Sequence, residues 1–504
     1  MAGTLDWIIA TTVEYRITLV LVLATTVMVY FMTRKRYKFP PGPRGLPLLG
    51  NMLAIQNKSL FRMLIQLEKK YGPVITLNLG PIRCVFLNNV EVVQEAFVGK
   101  SVDFAGRPHT FSGLAFTEGG KDIALTDYGP TWQLHRKLAL RALKYYMKGE
   151  GFQDTIVEVI EAVTVEMGTE TGSFDVYSYI NLAIFNIISK ICFNEKFSSD
   201  NEEFLSICKG FDVFSTEAGN GFLEDVIPPL RLYPTAKFRK FMKIQNGFFD
   251  FIYKRINAHR ETFRADTQRD FTDAMLIAQK EAEEEEDPEL LAQFTNTHLG
   301  QTISDVFGAG LDTSRQTLYW TLLYLAAYPE VQAKLHAEVD RVLGERRVPM
   351  LSERHKLPYT EAVLYESMRK GAVAPLGLPH STTCDTTVAG YEIPKGTIVL
   401  ANIFAIHHDP RHWKEPEVFN PERFLDDSGR FAPTSESWMP FSVGKRACMA
   451  EALAKPELHV VLASFMRCFE IRLPDGVTPD LEPEGGSINF VPKPYQVVVK
   501  NRFA

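Results

Sequence analysis

The segment from Trp438 to Ala454, WMPFSVGKRACMAEALA, constrains the chain more than any other stretch. It places Phe441 seven residues before Cys448, Gly444 four before and Arg446 two before, just ahead of a helical pattern. A glycine-bearing turn leading into a helix N-terminus aims backbone N–H groups and a favourable dipole at the cysteine. Such surroundings suit a thiolate shielded from protonation and oxidation. A thiolate kept in this state can serve as an axial iron ligand. The plain alternative, a buried structural thiol, is disfavoured by the full pattern F-x-x-G-x-R-x-C.

The rest of the chain has to build a body around that loop. Its 504 residues allow one large domain or two to four smaller ones, and 45% hydrophobic with 23% charged residues excludes wholesale disorder. A net charge of −6 argues against a globally nucleic-acid-binding protein. The six cysteines, at 84, 192, 208, 384, 448 and 468, form no C-x-x-C pair and are too few for a disulfide scaffold, so a reducing compartment is expected. VITLNLG (74–80) and CVFLNN (84–89) alternate like the strands of a hairpin. Helical spacing dominates from about 130 to 370, the acidic run EAEEEEDPE (281–289) reads as a solvated loop or helix end, and β-like pieces such as TIVLANI return after 380. No internal repeat is present. The expected fold is mainly α with small β-sheets at its two ends.

The first 51 residues read differently. Ile17 to Met32, ITLVLVLATTVMVYFM, is sixteen residues without a charge. A bilayer span needs about 20, and extension back through Trp7, Ile8 and Ile9 supplies them, with Glu14 and Arg16 near the far interface. The basic cluster Arg34, Lys35, Arg36 and Lys38 follows the apolar run, and no small-residue cleavage site separates them, which disfavours a signal peptide. Positive charge stays cytosolic. Residues 1–33 are therefore expected to be a retained single-pass anchor and 34–51 a basic, proline-rich hinge. Leu46, Leu48 and Leu49 of the hinge are available to dock on a surface, and 52–504 form one catalytic domain.

With these residues in view, the chain resembles the cytochrome P-450 family of haem-thiolate monooxygenases, from the anchor to Val499. The family signature F-x-x-G-x-R-x-C-x-G is matched at Phe441, Gly444, Arg446 and Cys448, and departs at Ala450 where the family has glycine. The extra methyl is expected to crowd the helix against the porphyrin, and Pro456 to weaken the helix by about 3 kcal/mol if unrelieved. The resemblance implies haem b with Cys448 as its metal ligand and electrons from NADPH through NADPH–cytochrome P-450 reductase, with cytochrome b5 as a further partner. It also implies an endoplasmic reticulum membrane location, a lipophilic substrate and no nucleic acid.

Other motifs acquire roles through the same resemblance. Trp132 and Arg136, in WQLHRK, and His380, in GLPHSTT, match positions that face haem propionates; alone they read as an amphipathic helix and a structural histidine. Glu366, Arg369 and Arg423, from EAVLYESMRK and FNPERF, match a charge cluster on the ligand side. By spacing alone, Glu366 and Arg369 would be a surface pair contributing about 0.2–0.5 kcal/mol. In FGAGLDT (307–313), two helix glycines cost about 1 kcal/mol each, so something flat is expected against Ala309 and Gly310, although helix packing would also explain them. Asp312 and Thr313 are the candidate acid and hydroxyl for protonating dioxygen. Val373 and Leu376 are substrate-pocket candidates.

Segments YGPTWQLHRKLAL, ISKICFNEKF, AVAPLGLPH and FAIHHDP resemble the steroid 17-alpha-hydroxylase/17,20-lyase branch, while DVFGAGLDT and LPHSTTCDT look equally like the aryl-hydrocarbon hydroxylases. A steroid or similarly flat polycyclic substrate is expected. An aryl-hydrocarbon, other xenobiotic or fatty-acid substrate, a reductase-independent haem-thiolate isomerase, and a haem sensor remain as alternatives.

Overall fold

A computed structural model describes Thr18, Val22, Thr25 and residues 37–502, apart from 48, 56–59, 149, 218–220, 286–287, 434 and 485–488. Apart from Thr18, Val22 and Thr25, the expected anchor lies outside the described residues, as do the basic residues Arg34 to Arg36 and Leu48. Among the described residues no helix is long and apolar enough to cross a membrane.

The chain is mainly helical. It runs through α1 (Pro130–Lys148), α2 (Tyr177–Phe193), α3 (Glu202–Glu217), α4 (Ala236–Glu261), α5 (Phe271–Glu284), α6 (Asn296–Ala327), α7 (Pro358–Gly371) and α8 (Glu451–Cys468). The centre is α6, 32 residues long, which packs against α2, α4, α5, α7 and α8. Its start is set by Thr295, whose hydroxyl accepts the N–H of His298 and so satisfies one orphan donor of the first turn. No proline interrupts it, and most of its faces are apolar or internally hydrogen-bonded, as a helix surrounded by other helices requires. Its neighbour α2 is buried over nearly its whole length.

The strands lie at the periphery. β1 (Val74–Leu79) and β2 (Ile82–Leu87) form the expected hairpin, with Val74 opposite Leu87 and Leu79 opposite Ile82. Ser173–Phe174 is β3, His380–Ser381 β4, Ile398–Ala401 β5, Phe469–Arg472 β6 and Val497–Asn501 β7. The four-stranded sheet has the order β1-β2-β5-β4, and a three-stranded one β3-β7-β6; two further sheets have two strands each. Because β5 runs parallel to β2 and pairs with β4, the segment carrying His380 is placed beside the hairpin.

Neither departure after Cys448 breaks the backbone that follows it. Ala450 caps α8 with φ −97° and ψ 8°, a conformation alanine adopts without strain. Pro456 sits in the second turn of α8, which continues unbroken to Cys468.

Candidate active site

The cysteine loop is shaped by its backbone before any side chain acts. Gly444 has φ +80°, and a Cβ built on it would lie 1.8 Å from the Phe97 carbonyl oxygen, so only glycine fits. The N–H of Cys448 donates to the Phe441 carbonyl at 2.9 Å, while the Phe441 ring stands 5.5 Å from the Lys455 ammonium. Arg446 binds the loop to the body by donating to the carbonyls of Ala105 (2.7 Å), Ile123 (3.2 Å) and Thr126 (2.7 Å). Trp132 lies under this guanidinium at 4.1 Å and donates its indole N–H to the Ile123 carbonyl, at 2.9 Å. Arg136 donates to the Ala447 carbonyl at 2.6 Å. The Cys448 side chain is accessible, although protein surrounds it on most sides. Burial pushes its thiol pKa up, and the backbone N–H groups of Ala450 and Glu451, together with Arg136, act against that rise.

A second cation stands beside Arg446. Arg107 is buried and donates to the carbonyls of Ala124 (2.8 Å), Leu378 (3.2 Å) and Pro379 (2.7 Å). Burial, reinforced by Arg446, pushes its pKa down to about 9, and burial lowers that of Arg446 to about 10. Sequence reading missed Arg107, because an arginine before a proline in FAGRP carries no sign that it will be buried. His380 is buried, stacked on Phe97 at 3.9 Å, with Nδ1 2.7 Å from the Phe104 carbonyl oxygen. Burial and then Arg107 hold its pKa well below the usual histidine value. In that neutral state Nδ1–H donates to Phe104 and Nε2 can only accept. The ring could donate to a propionate only after gaining a proton. A sulfur faced by two amides, with a surplus of half-buried to buried guanidinium charge nearby, is a donor set that fits a haem bearing two carboxylates.

Away from its two ends, the accessible residues of α6 form one stripe. Ala309 and Thr313 are exposed, Asp305 and Gly310 half-buried, and the positions between them buried. A helix packed on several sides can expose such a stripe only toward an internal cleft. Thr313 Oγ1 donates to the Ala309 carbonyl at 2.9 Å, the i−4 bond expected of it. Gly310 departs from its expected place: a Cβ there would meet Ile188 Cδ1 of α2 at 3.0 Å, and one on Gly308 would meet the Phe211 ring at 3.2 Å. Both glycines thus permit close helix packing.

Asp312 faces a different side of α6. Its carboxylate accepts from Arg315 Nη2 (2.9 Å), Ser215 Oγ (3.0 Å) and Asn489 Nδ2 (2.6 Å), and it is buried. Arg315 reaches on to Asp212 at 3.0 Å. This network joins α6 to α3 and to the C-terminal segment; sequence adjacency to Thr313 does not bring the carboxylate to the accessible stripe.

The remaining candidates separate as clearly. Glu366 takes two hydrogen bonds from Arg369, at 2.7 and 2.8 Å, and one from Arg423 at 3.2 Å, and both Glu366 and Arg369 are fully buried. The structure therefore brings the three together in the interior. Leu376 departs from its expected role: it is 1% exposed and packs with Leu64, Ile75, Leu77, Cys84 and Phe86 in the sheet core. Val373 is half-buried, and its carbonyl accepts the N–H of Phe490. Behind the cysteine loop, Arg136, Lys137, Arg141, Lys144 and Lys445 line a groove of about 680 Å³ along α1.

The cytochrome P450 family profile matches residues 40–499. The cytochrome P450 1A5 of Gallus gallus is 34% identical over 483 residues, covering 93% of this chain and 91% of its own. The steroid 17-alpha-hydroxylase/17,20 lyase of Ictalurus punctatus is 33% identical over 494 residues, covering 95% and 96%. The cytochrome P450 1A1 of Chelon auratus is 35% identical over 460 residues, covering 88% of each.

Proposed function

The chain belongs to the cytochrome P450 family of haem-thiolate monooxygenases, and from that premise we propose that it hydroxylates a flat, lipophilic, steroid-like substrate with electrons from NADPH. The observation that carries the reading is the pair of accessible reactive groups, Cys448 and Thr313, in elements that are otherwise packed. Haem, when bound, supplies the activation of dioxygen. The chain supplies the rest. Cys448 would be the thiolate ligand, and Arg107, Arg136 and Arg446 would hold the carboxylates of the group. The Thr313 hydroxyl holds its proton on the Ala309 carbonyl, and with haem bound it would be a hydroxyl donor on the accessible stripe of α6. Asp312 positions α6 through Arg315 and acts on Thr313 only through solvent or a break in its network.

The basic groove supports a separate electron donor. Four cations on α1 and the cysteine loop besides Arg136, namely Lys137, Arg141, Lys144 and Lys445, suit the acidic face of a flavoprotein such as NADPH–cytochrome P-450 reductase, with cytochrome b5 as a second occupant. A reductase-independent isomerase would have no use for such a face. Residues 1–33 serve in this reading as an endoplasmic reticulum anchor and 34–51 as its hinge, and the exposed Leu46, Leu49, Leu232 and Tyr233 are consistent with a membrane-facing side. The test is reconstitution with the reductase, NADPH and a steroid or polycyclic panel. Hydroxylated product dependent on NADPH and reductase is expected; rearrangement of a peroxide without either would replace the reading by the isomerase.

A further inference from the structure

The first turns of α8 carry a charge pair that the activity described above does not use. Glu451 stands three residues after Cys448 and Lys455 one helical turn further on, with the Lys455 ammonium 2.5 Å from Glu451 Oε1. On an open helix surface a pair at this spacing contributes only about 0.2–0.5 kcal/mol, and the lysine would carry its charge out to water. Lys455 is held back instead. Its side chain is 16% exposed, and its ammonium lies among three rings, 4.7 Å from the centre of Trp438, 5.0 Å from that of Tyr365 and 5.5 Å from that of Phe441. The cage is itself fixed: Trp438 stacks on Tyr365 at 3.9 Å and donates its indole N–H to the Tyr365 carbonyl at 3.1 Å, while the Phe441 carbonyl receives the N–H of Cys448. Rings attract a cation through their faces but carry no net charge, so the charge of Lys455 is balanced by Glu451. Burial works against the ammonium, but Glu451 and the Tyr365 hydroxyl outweigh it and the Lys455 pKa is raised.

Glu451 has a second neighbour. Its carboxylate acts on the Cys448 sulfur in the sense opposite to Arg136, and a like charge disfavours both a thiolate and any further negative charge placed on it. We propose that Lys455 is a positioning residue for the reaction, which holds and neutralises the Glu451 carboxylate and thereby sets how readily a haem bound through Cys448 accepts an electron. Reduction adds one electron to the haem–thiolate unit, with no bond formed or broken. A lone carboxylate three residues from the sulfur resists that electron, and a carboxylate paired with an ammonium does not. The aromatic cage keeps the ammonium over the cysteine loop, so the cancellation does not depend on a freely moving surface side chain. This assignment rests on the haem-thiolate reading and adds to it a control of reduction from the sulfur side.

The test is the midpoint potential of the haem-loaded full chain without substrate, titrated anaerobically and followed by absorbance. Lys455→Met fills the cage without a charge and is expected to lower the potential, and Glu451→Gln is expected to raise it. Each shift should correspond to a roughly threefold or larger change in the equilibrium constant for one-electron reduction, for which tenfold is about 59 mV. The double variant, with both charges gone, is expected to lie between the two single ones, and Lys455→Arg to keep the parent's value. Single variants that shift in the same direction, or a double variant outside their interval, overturn the assignment, because the pair would then act by loosening the loop. An unchanged potential in Glu451→Gln, which leaves the cage filled, overturns it as well. The red-shifted Soret band of the parent's reduced carbon monoxide complex separates the two levels of failure. With the band present and the shifts missing, this assignment alone falls; without the band, the haem-thiolate reading falls with it.

Discussion

Arg369 and Arg107 are both buried arginines, yet one meets a carboxylate directly and the other meets backbone carbonyls, with Asp122 acting on it only from a distance. Arg369 meets Glu366 through two parallel hydrogen bonds, shares it with Arg423, and places its remaining N–H groups on the carbonyls of His407 and Pro416. Arg107 and Arg446 place their hydrogen bonds on neutral backbone carbonyls. Burial and then Arg446 lower the charge stability of Arg107, burial and Arg136 that of Arg446, and the nearby Asp122 and Asp127 carboxylates only partly offset this. A carbonyl satisfies a guanidinium's hydrogen-bonding geometry and not its charge. The first site is complete with the chain alone and locks α7 to the segment around Arg423. The second carries surplus positive charge next to Cys448 and suits an anionic guest. That contrast separates residues that hold the fold from residues that hold the cofactor.

The sharpest break is at the sulfur. Cys448→Ser is expected to abolish the red-shifted Soret band of the reduced carbon monoxide complex while far-ultraviolet circular dichroism stays unchanged. A surviving band would remove the thiolate assignment.

Next in size is Glu366→Ala, which leaves two guanidinium groups beside each other without their carboxylate. Breaking a buried pair by removing one partner costs about 3–5 kcal/mol, to be read as a lower urea midpoint with or without haem. Arg107→Leu should behave in the opposite way. Its chain without haem is expected to unfold within about 1 kcal/mol of the parent, whereas haem is lost on dilution roughly tenfold faster, for want of one charged hydrogen-bond donor. If Arg107→Leu destabilises the haem-free chain as much as Glu366→Ala does, the two arginine sites are not different in kind.

Thr313→Ala removes a hydroxyl from the exposed stripe and no core contact, so thermal stability is expected to hold. The ratio of product to NADPH consumed should fall at least severalfold, with hydrogen peroxide rising to match, because positioned proton transfer contributes about 10²–10⁴-fold. An equally well coupled variant would show that water or substrate supplies the proton. Asp312→Asn should slow turnover with less effect on coupling, since it loosens the Arg315 network and leaves the hydroxyl in place.

The smallest effect concerns a third buried charge that is balanced only when protonated. His259 has Nδ1 2.8 Å from the Arg255 carbonyl oxygen and Nε2 2.8 Å from Asp270 Oδ2, so both nitrogens face acceptors and the ring must carry two protons to satisfy them. Burial works against that charge, but the Asp270 hydrogen bond and charge outweigh it and the folded pKa is raised. A raised folded pKa means that the contribution is fully present below the unfolded histidine value and is lost as pH rises through the folded one. The parent's melting temperature should therefore decline between about pH 6.5 and the mildly alkaline range, and His259→Gln should flatten that slope. A slope identical in the variant would assign the pH dependence elsewhere.

The sequence by itself determined what depends on neighbours along the chain. The spacing from Phe441 to Cys448 specified a turn into a helix, the helical spacing from about 130 to 370 specified the helical body, and the alternation at 74–89 specified the hairpin. These follow from backbone dihedrals and from periods of 3.6 and 2, which act over a few residues. Tertiary structure alone decided which side of each element meets what. Asp312 and Thr313 are consecutive, yet a rotation of about 100° per residue sends one to Arg315 and Ser215 and leaves the other on the cleft. Gly310 read as room for a flat group and proved to be room for Ile188, a residue of α2. Leu376 read as pocket and lies in the sheet core, because β1 and β2 come to it from 300 positions earlier in the chain. Arg107 was invisible because its partners at Leu378 and Pro379 lie 271 and 272 residues away. Burial and charge balance are sums over whatever distant segments pack around a side chain, and those neighbours exist only once the chain has folded.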